Sequence, residues 1–477
     1  MDTIVFIGTN KSGSSREAIK AAERLGFFTV LLTDRPQFIE QRLEFPDIHQ
    51  LIHTELSNYN ALKKNIINIQ SQGKKIKLIL SFIDPYVHVA ASLTEDFCTS
   101  IGSLDYIHNM EDKVLTRNII KGLPSSPYFS LYNPGEDLQS FVQKQNNRFP
   151  LVVKSPKSTG SKDVLKVNSP YQLTEAIQHL IKKYEHTPIL VEEYLTGPQF
   201  LVETIVHDGK VNIVAIIKQK ITFQKRFIIT GYSLLPHINK KLYNQIFHAV
   251  TTIVEAFQMK NGACHLEMRL VNDQWKLIEV NPRISGGAMN RIIEVGYGIN
   301  LVEETIQLLL GNKPNLKRKH SKNIYVHYLT INKEGILVNV TGRNRAASYP
   351  GVEEVFIKPR QGKRLRPPLS MGDRYGYVLA SSDSRKDAKK IAQKAAKEIS
   401  FNLDRIKQIK GNQFSNHLTA KIVTSNLELS GKTATDTPPV QETLRGIPYT
   451  VEERSLKFKQ TIRSYLRNTI RDSKLRF

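Results

Sequence analysis

Residues 264–283 read CHLEMRLVNDQWKLIEVNPR, and this stretch is the most informative part of the sequence. Polar and apolar residues alternate on both sides of Asn272-Asp273-Gln274, a pattern that predicts two β-strands joined by a turn. If the turn centres on Asp273, Glu267 on the first strand lies directly opposite Glu279 on the second, with Cβ atoms roughly 5 Å apart. Because two facing carboxylates repel each other, the pair predicts a cation between them.

A hard divalent cation would satisfy this pair. Asn281 follows Glu279 by two residues, so strand periodicity places it on the same face, where it adds a neutral oxygen. Mg²⁺ accepts such an all-oxygen set when substrate phosphates complete its shell. An acidic pair that is neutralised by Arg269 or Arg283, without any metal, stays open as the alternative.

The same stretch, together with the turn Ser285-Gly286-Gly287, resembles the metal-binding end of the ATP-grasp ligases, whose pattern is a strand Glu, a turn and E-x-N-x-R. Further motifs of this family occur upstream in the same order, so that the resemblance covers about residues 1–312. Lys113, in Glu111-Asp112-Lys113, resembles the family's first phosphate-contacting lysine. Lys154, at the end of the apolar strand 150–154, resembles the second.

The resemblance also implies a nucleotide site around these lysines. The loop after Lys154 contains Ser158, Gly160 and Ser161, small residues whose backbone N–H groups can approach phosphates closely. Residues 189–195 resemble the hinge that holds adenine, with contacts implied for Glu192, Glu193 and Leu195. Glu203, on the strand after the hinge, is a candidate for contact with the ribose or a metal.

What the resemblance implies for chemistry is an ATP-dependent carboxylate–amine ligase. A substrate carboxylate would attack the γ-phosphate of ATP, with two Mg²⁺ ions, or Mn²⁺ as an alternative, held by Glu267, Glu279 and Asn281. A small amine would then displace phosphate from the acyl phosphate, leaving an amide or peptide, ADP and phosphate. Arg283 would hold the carboxylate and stabilise the oxyanion, and Lys218 is a weaker candidate for substrate contact.

Two other functions remain open. A biotin-carboxylase-like enzyme is one, although the long glycine run of that family's lid is absent and Gly286-Gly287-Ala288 stands where that family has Val-Glu-His. A non-catalytic module that binds a nucleotide or a partner is the other. The chain also departs from many relatives at residues 227–231, which read FIITG where those relatives carry a glutamate in F-x-E-x-G.

These patterns predict an α/β (α+β) chain of ATP-grasp architecture in four parts. Residues 1–106 begin as a β-α-β unit and form a Rossmann-like pre-ATP-grasp domain, whose loop 8–15 is not a P-loop because Ser14 replaces the lysine. Residues 107–312 form the ATP-grasp domain, with a lid at about 124–195. A small α+β domain, similar to the C-terminal domain of the L-amino-acid ligases and of biotin carboxylase, covers 313–425. A linker and a basic amphipathic helical tail occupy 426–477.

Composition agrees with an enzyme of this size. The 477 residues are 40% hydrophobic, without a transmembrane-length apolar run or a signal-peptide pattern, so a cytoplasmic location is expected. Two cysteines, far apart, argue against a disulfide scaffold or a zinc site. The net charge of +24 fits a lysine-rich surface, and nucleic acid is a minor hypothesis. The basic tail could meet an acidic partner or surface, and the family's C-terminal domain can join subunits into a homodimer.

Overall fold

The computed structural model of the protein describes residues 1–98, 104–156, 163–223 and 227–404. Ser158, Gly160 and Ser161 of the predicted phosphate loop therefore lie outside the described residues. So do the last part of the predicted C-terminal domain and the whole predicted tail, 426–477. Within the described ranges, none of the helices combines the length and the apolar character that a membrane crossing requires.

The N-terminal part is a parallel sheet with helices on both faces. Its elements, in chain order, are β1 (Asp2–Ile7), α1 (Ser14–Arg24), β2 (Phe28–Thr33), α2 (Pro36–Glu40), β3 (Gln50–His53), α3 (Tyr59–Ser71), β4 (Lys75–Leu80) and α4 (Val87–Phe97). The strand order is β3-β2-β1-β4, with parallel pairing throughout. Because both sheet faces are covered, successive residues of β1 such as Ile4 and Val5 are both buried, in two different cores. The predicted β-α-β start is confirmed.

Two short helices lead from this part into a small antiparallel sheet. The helices are α5 (Asp105–Glu111) and α6 (Lys113–Ile119), followed by β5 (Phe129–Tyr132), α7 (Leu138–Gln143), β6 (Leu151–Lys154), β7 (Val164–Val167), α8 (Pro170–Lys183) and β8 (Ile189–Glu193). The sheet order is β5-β8-β6-β7. Apolar residues of α8, including Leu173 and Ile177, pack with Leu151 and Ile189 into a core of their own. This sheet falls wholly within the range predicted for the lid.

An eight-stranded antiparallel sheet forms the centre of the molecule. The first half of this region of the chain, which includes the helices that follow the strands, contains β9 (Gln199–His207), β10 (Lys210–Phe223), β11 (Phe227–Leu234), α9 (Lys240–Ala256), β12 (Gly262–Val271), β13 (Gln274–Asn281), α10 (Met289–Tyr297) and α11 (Leu301–Leu309). The remaining elements are β14 (Asn323–Leu329), β15 (Gly335–Thr341), α12 (Arg343–Ala347), β16 (Val352–Ile357), β17 (Arg364–Leu365), β18 (Gly376–Ser382), α13 (Arg385–Ala396) and β19 (Ser400–Asp404). Short 3₁₀ turns occur at Arg42–Glu44 and Met371–Asp373.

The order of the large sheet is β13-β12-β9-β10-β11-β14-β18-β16. Three strands of the predicted C-terminal domain thus extend the central sheet, and only β17-β15-β19 form a separate small one. Helix α13 begins after Ser384, whose side chain accepts a hydrogen bond from the Asp387 N–H, and it packs its alanines on β14 and β18. The four domain boundaries themselves stay a prediction.

Candidate active site

The two glutamates of the predicted hairpin face each other. Residues 267 and 279 are register partners across β12 and β13. Only Asn272 and Asp273 form the turn, both with positive φ (46° and 61°), as a two-residue hairpin loop requires. With such a turn alone, Glu267 would face Ile278, but the register shifts by one residue between Met268 and Glu267. This β-bulge brings Glu279 opposite Glu267.

The charges around the pair leave its carboxylates available for a cation. Burial, and secondly the nearby charge of Glu279, raise the pKa of Glu267 to about 7. Gln199 donates from Nε2 to Glu267 Oε2 at 3.1 Å, while the Glu279 side chain is 37% exposed. Its nearest cation is Lys113, whose Nζ lies 3.4 Å from Glu279 Oε1.

Neither arginine of the metal-free alternative lies between the two glutamates. Arg269 donates to the Leu195 carbonyl at 2.6 Å and to the Gln199 side chain. Arg283 forms a two-point ion pair with Asp84 instead. The acidic pair is therefore not explained as an arginine salt bridge.

His265 fixes the amide of Asn281, the third predicted ligand. The two residues are register partners, and the His265 Nε2 lies 3.2 Å from the Asn281 Nδ2. The other ring nitrogen, Nδ1, lies 2.8 Å from the Arg283 carbonyl, to which it donates. Burial, and then the charge of Arg283, lower the pKa of His265 to about 4, so the ring is neutral and its Nε2 accepts from Asn281. The Asn281 oxygen is thereby left to bind a ligand.

Lys154 belongs to a buried ion cluster. Its Nζ lies 2.6 Å from Glu192 Oε2, and the Nε of Arg117 lies 2.5 Å from Glu192 Oε1. Burial acts to raise the pKa of Glu192, but the charges of Arg117 and Lys154 outweigh it and the pKa is lowered. For Lys154, burial exceeds the effect of Glu192 and lowers the pKa. One carboxylate thus faces two cations, which leaves the cluster with an excess positive charge.

Arg117 also connects this cluster to the hairpin. Its NH2 group donates to the carbonyl of Ile278, the residue next to Glu279 at the bulge, at 2.6 Å. Strands β6 and β8 of the small sheet and the β12–β13 hairpin are therefore joined through the Arg117–Glu192–Lys154 cluster, in which the guanidinium-bearing Arg117 is only 2% exposed.

Lys113 begins helix α6, where the N-cap Asp112 accepts from the N–H groups of Val114 (2.7 Å) and Leu115 (3.0 Å). Its Nζ reaches towards the carbonyl of Pro156 at 3.5 Å, at the edge of the segment in which Ser158, Gly160 and Ser161 lie. Both predicted phosphate lysines thus lie near Glu279, since Lys113 contacts its carboxylate and the charge of Glu279 acts on Lys154.

The hinge residues are placed as follows. Both oxygens of Glu192 contact cations, as described. Glu193 accepts at Oε1 from the Tyr128 N–H at 2.8 Å, and Leu195 is buried, with its carbonyl bound by Arg269. The carboxylates of Glu192 and Glu193 are engaged within the protein, so contact with a ligand edge falls to main-chain groups other than the Leu195 carbonyl.

Glu203 lies beneath the turn that follows Arg283. It is fully buried, accepts from the Ser285 N–H at 3.3 Å, and its Oε1 has no hydrogen-bond partner among the described residues. Burial raises its pKa to about 7. The structure puts it next to His265, its register partner on β12, rather than beside the lysines.

The glycine loop before α1 packs on this same turn. Ser14 donates to the Ser285 carbonyl at 2.6 Å, and a Cβ at Gly13 would lie 3.0 Å from the backbone of Gly287. Gly13 is required by this close approach and by its φ of 81°. The loop thus supports the turn, which agrees with its not being a P-loop.

Lys218 is not brought to the site. It is exposed on β10, and strand alternation places it on the face opposite to Ile217, which shares a cross-strand row with Leu201 and Glu267. Conversely, the structure adds three residues that sequence reasoning missed as functional: Asp84, Arg117 and His265. The sequence did contain signals for two of them, since Asp84 follows the carboxyl end of a parallel strand and His265 precedes Glu267 by two residues.

The donor groups present would suit a divalent ion that is coordinated only by oxygen atoms. Within the described ranges, no group of three or more His, Cys, Asp or Glu side chains could hold a metal by itself. Two glutamates with one raised pKa and one amide oxygen make instead a partial shell, of the kind that Mg²⁺ completes with phosphate oxygens and water.

Comparisons with known proteins identify two related domains in this chain. The family model described as ATP-grasp domain matches residues 147–291, and that for L-amino acid ligase C-terminal domain 2 matches residues 327–404. The chain is 21% identical over 323 residues to the L-arginine-specific L-amino acid ligase of Bacillus subtilis, covering 66% of this chain and 77% of that protein.

Two solved structures have the same fold. An L-amino acid ligase from Bacillus licheniformis superposes with a TM-score of 0.71 at 20% identity, over 85% of this chain and 99% of that one. The biotin carboxylase domain of the Hydrogenobacter thermophilus 2-oxoglutarate carboxylase superposes with a TM-score of 0.64 at 14% identity, over 84% and 91% of the two chains. The predicted ATP-grasp architecture and the predicted resemblance are confirmed.

Proposed function

We propose that this chain, which has an ATP-grasp domain and the C-terminal domain of the L-amino acid ligases, is an ATP-dependent carboxylate–amine ligase. The observation that carries the proposal is the convergence of the facing glutamates with Lys113 of α6 and Lys154 of the lid sheet. Such an arrangement offers oxygens for a divalent ion and cations for phosphates within one site.

In this proposal ATP lies between the central sheet and the lid sheet. Lys113 and Lys154 contact its phosphates, and the excess positive charge of the Arg117–Glu192–Lys154 cluster favours an anion there. Main-chain groups of Glu193 and Leu195 bind the adenine edge. Glu267, Glu279 and Asn281 would hold Mg²⁺, and the ion would supply positive charge against the phosphates.

The chain's own groups then serve the two halves of the reaction. The substrate carboxylate attacks the γ-phosphorus and ADP leaves, which gives an acyl phosphate. Arg283 lies beside Asn281, and its charge can orient the carboxylate and stabilise the oxyanion that forms when the amine attacks. The amine loses a proton, phosphate leaves, and an amide results. Asp84, through its ion pair, positions the Arg283 guanidinium.

The comparisons favour ligation over the two alternatives. The Bacillus subtilis relative is an L-arginine-specific L-amino acid ligase, and this chain matches the family model for the C-terminal domain 2 of the L-amino acid ligases. A biotin carboxylase neighbour shares the fold, but this chain has Gly286-Gly287-Ala288 where that family carries Val-Glu-His. A cytoplasmic location and a homodimer stay predictions.

A substrate panel tests the proposal. The purified protein, ATP and Mg²⁺ are incubated with pairs from a set of carboxylic acids and amines, the twenty amino acids among them, and ADP and phosphate are measured. We expect release that requires both an acid and an amine, with a mass peak for the joined product. ADP release with bicarbonate and biotin alone would replace the proposal with carboxylation.

A further inference from the structure

Two rows of mostly polar residues lie on the face of the central sheet opposite to Glu267, which we call the distal face. The rows are formed by β10, β11 and β14. The first row consists of Lys218, Ser233 and Tyr325, and the second of Lys220, Gly231 and His327. Because residues two apart on a strand point to the same side, both rows share the distal face. Within the described ranges neither row includes a carboxylate, since the next residues along it, on β18 and β16, are apolar.

Three polar atoms in these rows are buried and have no hydrogen-bond partner in the part of the chain that the structure describes. They are the Ser233 Oγ, the Tyr325 hydroxyl oxygen and the His327 Nδ1. Ser233 is 8% exposed and Tyr325 is 3% exposed, so bulk water does not satisfy their hydroxyl groups. A buried polar group without a partner destabilises a fold. Three such groups in adjacent positions therefore indicate a ligand that completes their hydrogen bonds.

The Tyr325 side chain reaches from β14 across β11. A Cβ on Gly231 would lie 2.4 Å from the Tyr325 hydroxyl oxygen, so the hydroxyl occupies the place that a side chain at 231 would take. Gly231 stands between Lys220 and His327 in the second row. The missing side chain at this position therefore lets the hydroxyl of the first row join the polar groups of the second.

The charge of this cluster favours an anion. Lys218 and Lys220 are both exposed, and their ammonium groups carry three donors each. Burial, and secondly the charge of Lys220, lower the pKa of His327 to about 4, so the ring is neutral and keeps one N–H to donate. Lysine acts as a point charge that suits phosphate, whereas planar carboxylates are better matched by the arginine fork.

We propose that these residues form a second anion site, which binds a phosphate-class oxyanion on the distal face, either inorganic phosphate or a small phosphate monoester. The ammonium groups of Lys218 and Lys220 meet the anion at the surface. The hydroxyls of Ser233 and Tyr325 and the His327 ring then donate to its oxygens, and donors from three strands suit a tetrahedral anion. The inference does not rest on the proposed function, because the sheet separates this cluster from the glutamate pair.

Isothermal titration calorimetry of the full chain tests the site, with Mg²⁺ and a saturating non-hydrolysable ATP analogue present so that the nucleotide site is filled. Inorganic phosphate and glycerol 3-phosphate are titrated into wild type, Tyr325→Phe and the double variant Lys218→Gln/Lys220→Gln. Wild type should bind at least one of the two anions. Because hydrogen bonds to a charged group are lost, the Kd should rise about tenfold in Tyr325→Phe and about 10–100-fold in the double variant.

Lys144→Gln/Lys182→Gln is the matched control, since it removes the same charge from exposed positions at the end of α7 and in α8. Its Kd values should equal those of wild type. Tighter binding of glycerol 3-phosphate would identify an ester as the ligand and tighter binding of phosphate the free anion, and both results support the site. Binding of neither anion, an equal loss in the two double variants, or a Kd that Tyr325→Phe and Lys218→Gln/Lys220→Gln leave unchanged would overturn it.

Discussion

Two side chains beside the β12–β13 hairpin show how burial sets the protonation state of neighbouring groups. His265 and Glu203 lie side by side in the same cross-strand row, yet burial acts on them in opposite ways. Burial lowers the pKa of the histidine to about 4 and raises that of the glutamate to about 7, so both are driven towards the neutral form. A neutral His265 can accept from the Asn281 Nδ2, and this contact orients the Asn281 amide.

Replacing His265 should weaken the metal site without removing a ligand. In His265→Ala the Asn281 amide loses its partner, and the Mg²⁺ concentration for half-maximal activity should rise about 10–100-fold, as for other groups that orient ligands. A Mg²⁺ titration of ADP release measures it. His248→Ala, on the exposed face of α9, is the control. An unchanged Mg²⁺ requirement in His265→Ala would show that the ring does not orient Asn281.

Glu203 should make the stability of the protein depend on pH. Its pKa rises from 4.5 in the unfolded chain to about 7 in the fold, so the folded state holds the proton more tightly. That stabilisation is complete below pH 4.5 and is lost as pH rises through 7, by up to about 3 kcal/mol. Glu203→Gln cannot titrate, and it keeps an acceptor for the Ser285 N–H.

The measurement is the melting temperature of both proteins between pH 5 and pH 8. Relative to Glu203→Gln, wild type should lose stability across this range, with the change centred between the two pKa values. A difference between the two proteins that does not vary with pH would mean that Glu203 is ionised in the fold throughout.

At the scale of elements, the hairpin shows what the sequence could predict and what it could not. The alternation of polar and apolar residues predicted both strands and the pairing of Glu267 with Glu279. A three-residue turn centred on Asp273 was the expected cause, whereas the structure has a two-residue turn and a compensating bulge at the level of Ile278. The pattern of one strand does not reveal a bulge that is fixed by a distant donor, here Arg117.

The same reason explains the other residues that were missed. Helix α13, its N-cap and the two helices after the hairpin follow local periodicity and were predictable. Asp84 and Arg117 act through partners about 200 and 75 residues away, Arg283 and Glu192, and local periodicity does not report such contacts. For Lys218 the prediction was made from its charge, but its position on β10 places it on the sheet face opposite to Glu267.

Removing Arg117 should loosen the hairpin, the hinge and the lid together. Arg117→Met leaves Glu192 with Lys154 alone and the Ile278 carbonyl without its donor, so the protein should lose about 3–5 kcal/mol of stability. Thermal unfolding measures the loss. Arg148→Met, at a surface site where the side chain lies over Tyr128, should cost far less. Equal melting temperatures for Arg117→Met and wild type would contradict the role of the cluster.

At the scale of the molecule, the site is assembled from three sheets. The hairpin belongs to the central sheet, Lys154 and Glu192 to the lid sheet, and Asp84 to the end of the N-terminal parallel sheet. Strands β14, β18 and β16 extend the central sheet. The sequence predicted these parts and their order, but not that the C-terminal strands would continue the same sheet.

Binding of Mn²⁺, followed by electron paramagnetic resonance in the presence of a non-hydrolysable ATP analogue, tests the central claim most directly. Wild type should bind Mn²⁺ at the glutamate pair, and Glu279→Gln should weaken this binding by at least about tenfold while the fold persists. Glu255→Gln, on the exposed face of α9, should bind as wild type does. Equal Mn²⁺ binding by Glu279→Gln and wild type would contradict a metal site between Glu267 and Glu279.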